Sequence, residues 1–106
     1  MEEINPYTIP AGGKLDELIH IRVLRKPLNG PVPHYSTEEA PAEWVYAWLR
    51  GLSGAKIVVG QSKLRASRRW FARHEKDPST GTEVMAETYP LAVCRLALLM
   101  RDHYGK

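Results

Sequence analysis

The sequence predicts an α+β fold, a small three-stranded antiparallel sheet packed by about three helices into a sandwich. Three observations point there. Apolar residues recur at helical spacing in residues 14–26 and again at Trp44, Val45, Trp48, Leu49 and Leu52. Across residues 56–88 the period changes to two, the spacing of strands. Residues 91–100 are then apolar nearly all round, broken only by Arg95. Three strands cannot bury both faces of a sheet by themselves, so helices must cover at least one.

Residues 1–13 carry Pro6, Pro10, Gly12 and Gly13 with no periodicity and read as an extended N-terminal arm ahead of one domain, residues 14–106. Residues 14–26 form the first helix. Leu15, Leu18, Ile19 and Val23 line one face, with Asp16 and Glu17 early and Arg22, Arg25 and Lys26 late, in the order that suits the helix dipole. His20 on this helix reads as a solvated or capping residue. Pro27 stops the helix, and the loop with Pro31 and Pro33 holds neither helix nor central strand.

Ser36 and Glu39 have capping-box spacing, although Pro41 fits best at a first helical position, which would leave residues 36–40 as a separate turn. Trp44 and Trp48 share the stripe of the second helix and read as core, and Gly51 and Gly54 end it. Ile57, Val58 and Val59 mark the first strand. In the second, Trp70, Ala72 and His74 alternate with Phe71 and Arg73. A Pro78–Gly81 connection leads to the third, with Val84 and Ala86 on one face and Glu83 and Met85 on the other. Pro90 opens the last helix, where it is tolerated.

The chain has 106 residues and a formal charge of +3, from 15 Lys and Arg against 12 Asp and Glu. That length supports one core without metal or disulfide staples, and a single cysteine excludes an internal disulfide. The acidic start has no secretory pattern, and no apolar run approaches the roughly 20 residues that span a bilayer. These features predict a soluble cytoplasmic protein without membrane partners.

The charge is uneven. Residues 63–76 hold Lys63, Arg65, Arg68, Arg69, Arg73 and Lys76 against Glu75 alone, with Trp70 and Phe71 among them. Arginine forks bind phosphate bidentately and aromatic faces stack on bases, so this strand is a platform for a nucleotide or a single strand. The alternative is an ordinary sheet face on which arginines pair with Glu83 and Glu87 while Trp70 fills the core. His34 and Tyr35 close the proline-stiffened loop and are further contact candidates. No histidine spacing suits a metal, and neither a phosphate-cradling glycine loop nor a nucleophile elbow is present. Cys94, mid-helix among apolar residues, reads as packing. Arg95 must reach an acid, with Glu87 and Glu43 as candidates, or else a surface or an anion. No enzyme activity, cofactor or metal is expected.

Two stretches carry a family resemblance. Residues 14–23, then Tyr35-Ser36-Thr37 and Trp44-Val45, lead to Ala86-Glu87-Thr88-Tyr89-Pro90-Leu91-Ala92-Val93-Cys94-Arg95. Together they resemble the phage ABA sandwich domain family of small bacteriophage and prophage proteins, over roughly residues 14–100. The resemblance implies a small sheet packed by helices and a phage accessory role, with no catalytic residues to carry over. The Arg-rich strand departs from that pattern. The expected function is stoichiometric binding in counter-defence. Such a protein inhibits a host defence protein, as an anti-CRISPR does, or sequesters an anionic nucleotide signal through Arg65, Arg68, Arg69, Trp70, Arg73, His34 and Tyr35. The alternative is a nucleic-acid-binding accessory protein using the same strand. The apolar helix of residues 91–100 suggests a homodimer unless the other helices cover it.

Overall fold

The longest apolar run in the chain becomes its central spine. In a computed structural model that describes residues 5, 8–27, 30–51, 57–61, 70–74 and 83–104, the last helix is Tyr89–Tyr104 (α3). Each of residues 91–100 is buried, Arg95 included. A helix buried on every side needs cover on every side. Strands β1 (Ile57–Gln61), β2 (Trp70–His74) and β3 (Glu83–Ala86) lie against one side. The helix α2 (Glu39–Arg50) and the end of the first helix lie against it as well. The fold is therefore α+β. The apolarity of residues 91–100 is accounted for within one chain, by the helical cover that was the alternative to a dimer.

The sheet has the order β1-β2-β3 and is antiparallel throughout. Ala72 sits opposite Val59 and Val84, and Trp70 opposite Ala86, which fixes which residues share a face. Ala72, Val84 and Ala86 are buried, as their alternation predicts. The other face carries Val58, Phe71, Met85 and the Arg73–Glu83 pair. The predicted 77–81 connection lies outside the described residues.

The first helix departs from α geometry partway. Gly13–Leu18 (α1) is α-helical, and Ile19–Val23 continues it as a π-helical turn in which the Leu24 N–H donates to the Ile19 carbonyl. Arg25 then adopts a left-handed φ of 55°, and the Lys26 N–H reaches back to the His20 carbonyl. Leu15, Ile19 and Val23, all buried, are spaced by four. In an α-helix that spacing drifts by about 40° per turn. The wide turn offsets the drift and keeps the three on one line.

The predicted Ser36 capping box does not form. Glu38 is the N-cap of α2 without a side-chain cap, and Pro41 falls in the first turn, where its missing N–H costs nothing. The turn covers residues 35–37 and not 36–40, because α2 begins at Glu39, two residues ahead of Pro41. For α3, Thr88 is the cap, its Oγ1 accepting from the Leu91 N–H at 3.3 Å. Part of the N-terminal arm is firmly docked, since Ile9 is buried in the core cluster. Arg95 binds one backbone carbonyl of the N-terminal arm and one of β3. Its Nε donates to the Ile9 carbonyl at 2.9 Å and its Nη1 to the Met85 carbonyl at 2.7 Å. Among the described residues, no helix is long and apolar enough to cross a membrane.

Candidate functional site

Among the described residues, the structure separates Trp70 and Arg73 from His34 and Tyr35. Arg65, Arg68 and Arg69 lie outside the described residues. Trp70 is half-buried on the core face, with its ring edge-on to Tyr89 at 5.6 Å. Arg73 faces outward beside Glu83 at 3.6 Å, and its guanidinium lies over the Phe71 ring at 5.4 Å. Phe71 in turn covers Gly60, so closely that a Cβ at that glycine would sit 3.0 Å from the ring. In the described part of this strand the aromatic rings serve packing and the arginine pairs across the ladder.

The adjacent pair His34 and Tyr35 splits in the same way. Tyr35 is fully buried and His34 is exposed. The Tyr35 hydroxyl lies 2.8 Å from His20 Nδ1, and His20 Nε2 donates to the Pro27 carbonyl at 3.2 Å. A carbonyl only accepts, so the proton sits on Nε2 and, in the neutral ring, Nδ1 accepts a hydrogen bond from the tyrosine hydroxyl. Burial pushes the Tyr35 phenol upward, with Asp16 and Cys94 adding to it. His20 thus caps the loop that follows the first helix.

Asp16, Ser36 and His34 form a second cluster. Buried Asp16 accepts through Oδ1 from both the Ser36 N–H at 2.8 Å and the Ser36 hydroxyl at 2.7 Å. The Gly12 N–H donates to Ser36 Oγ at 3.0 Å, and His34 Nδ1 lies 3.7 Å from Asp16 Oδ2. The residue types are those of a hydrolytic triad, but the order is wrong. In a triad the histidine stands between serine and carboxylate and takes the serine proton. Here the serine hydroxyl donates directly to the carboxylate and the serine is fully buried. The cluster fastens the arm and the loop to α1. Burial also pushes the Cys94 thiol well above its ordinary range, with Asp16 adding to it, so the buried sulfur is a poor nucleophile. Among the described residues, no group of three or more His, Cys, Asp or Glu side chains could hold a metal.

One place does combine charge with exposed aromatic surface. An open groove of about 380 Å³ is lined by residues 22–26, Trp44, Trp48 and Arg101. Arg22 comes from the end of the first helix, Arg25 and Lys26 from the residues just after it, and Arg101 from the last turn of α3. The described lining holds four cationic side chains and no carboxylate. Trp44 is 54% exposed, contrary to its expected place in the core, and Trp48 is half-buried. Val45 and Leu49 take the inward positions of α2, which turns Trp44 toward the rim. Tyr35 backs Trp44 edge-on at 6.4 Å, and Lys26 Nζ lies over its ring at 5.8 Å. The sequence signal for this groove is the clustering of Arg22, Arg25 and Lys26 at the end of the predicted first helix.

Such a lining suits an anion that also carries a planar group, since guanidinium and ammonium pair with phosphate and indole stacks on a ring. In comparisons with known proteins, the chain matches no family model, no curated sequence and no solved structure.

Proposed function

We propose that this chain is a non-enzymatic binding protein that holds an anionic nucleotide stoichiometrically in the groove between the first helix and α2. The observation that carries this reading is the convergence of four basic side chains and two tryptophans on one open groove. Binding without turnover fits the buried hydrogen bond from the Ser36 hydroxyl to Asp16 and the buried Cys94. The resemblance to phage sandwich domains supplies a setting, a phage or prophage accessory protein in the bacterial cytoplasm that sequesters a nucleotide signal of host defence.

The test is thermal unfolding with a panel of linear and cyclic nucleotides. A ligand present at 100 times its Kd adds about 2.7 kcal/mol to the native state. In a domain of this size that raises Tm by roughly 10–20 °C. The double variant Arg22→Glu/Lys26→Glu changes two exposed side chains, so it should fold and lose the shift. A panel that leaves Tm unmoved throughout overturns the proposal.

A further inference from the structure

We infer that the groove takes one nucleotide unit, with its base on Trp44, and that Lys26 is the residue that exchanges between the indole and the phosphate. This rests on the reading of the groove as a nucleotide site. The volume of about 380 Å³ lies at the low end for ligand sites, the scale of a single base with its phosphate. Trp44 is the most exposed large apolar side chain among the described residues, and exposure at 54% costs hydration free energy unless something covers it. Its ring is held from within by Tyr35, which leaves the face beneath Lys26 for a partner. Stacking there displaces the ammonium. The four-carbon stem of Lys26 then carries its charge to the phosphate, beside Arg22 on the same wall. One movement exposes the ring and pairs the charge.

Trp70 and Phe71 do not compete for this role. The first is edge-on to Tyr89 and the second covers Gly60. A nucleotide unit comes either free or within a strand, and the chemistry of the groove is common to both.

Calorimetric titration distinguishes these cases with four probes: adenosine 5′-monophosphate, adenosine, inorganic phosphate and a ten-residue oligodeoxyadenylate. The monophosphate should bind with a stoichiometry of one. Trp44→Ala should weaken it about 5- to 150-fold, the range for loss of one stacked base, and leave phosphate affinity unchanged. Trp44→Phe keeps a ring and should recover part of the loss. Lys26→Met should weaken the monophosphate yet bind adenosine as well as or better than the parent. Equal binding of the strand and the monophosphate, with a salt slope near −0.7, upholds the inference with a free nucleotide as ligand. Tighter binding of the strand with a slope of about −1.4 or steeper upholds it with nucleic acid as the source. If phosphate binds as well as the monophosphate and Trp44→Ala changes neither, the groove is an anion site and the stacking inference fails alone. If none of the four probes binds, the nucleotide reading fails with it.

Discussion

Replacing Asp16 by alanine removes the acceptor on which the Ser36 turn hangs. Two donors, the Ser36 N–H at 2.8 Å and the Ser36 hydroxyl at 2.7 Å, converge on a single carboxylate oxygen that solvent does not reach. A hydrogen bond to a charged group contributes about 1.5–3 kcal/mol, and each buried donor left without an acceptor carries its own desolvation cost. Losing both, partly offset by release of the carboxylate from burial, should cost about 3 kcal/mol. That lowers Tm by roughly 12–24 °C in a domain of this size. Asp16→Asn keeps a carbonyl oxygen for both donors and should lose about half as much. Ser36→Ala removes one of the donors and the acceptor of the Gly12 N–H, for about 2 kcal/mol. The assay is urea unfolding at neutral pH, followed by fluorescence and circular dichroism, with unchanged m-values as the check on two-state behaviour. Because the two side chains share one bond, Asp16→Ala and Ser36→Ala together should cost at least about 1 kcal/mol less than their sum. An Asp16→Ala loss below about 1 kcal/mol, or simple additivity, would refute the reasoning.

Other consequences can be measured separately. Arg25 holds a left-handed backbone that glycine adopts freely, so Arg25→Gly should gain about 0.5–1 kcal/mol in urea unfolding while it weakens anion binding. The Cys94 thiol, buried and pushed up in pKa, should resist alkylation in native buffer and react fully in denaturant, and rapid native labelling would contradict the packing. Burial and the neighbouring Glu43 push the Tyr89 phenol up to about 12. A folded-state pKa above the unfolded value gives stability that is complete below about pH 10 and fades as the pH rises toward 12. Subtracting the alkaline unfolding profile of Tyr89→Phe from that of the parent should show that loss, and identical profiles would exclude it.

Much of the fold is legible in the sequence because it rests on periods. Alternation along Trp70, Phe71, Ala72 and Arg73 assigns the faces of β2, and the density of apolar residues from Leu91 onward marks the buried spine. The wide turn at Ile19–Val23 is harder to read. Apolar residues spaced by four suit either a drifting α-helix or a π turn, and only packing against α3 decides between them. The exposure of Trp44 is hard to read for a related reason. Tryptophan at helical spacing reads as core, yet Val45 and Leu49 already fill the inward positions, and the fraction of a stripe that stays at its rim depends on the neighbouring layer. Tyr35 and His34, adjacent in sequence, point to opposite environments because the turn separates them. A run of polar types in a loop does not specify that division. The Arg-rich stretch is visible as local charge density with interleaved aromatics, whereas the groove gathers its cations from segments more than 70 residues apart, a distance no local window spans.

The position of Arg95 bears on how the molecule opens. One guanidinium, anchored mid-spine, binds a carbonyl of the N-terminal arm and another on β3. Detachment of either segment strips an acceptor from the buried guanidinium and opens to solvent the group that also holds the other. Amide protons of residues 8–12 and 83–86 should therefore exchange with solvent as one cooperative unit, although more than 70 residues separate them along the chain. In Arg95→Met that unit should divide, the arm exchanging early by itself and the strand retaining slower, independent protection.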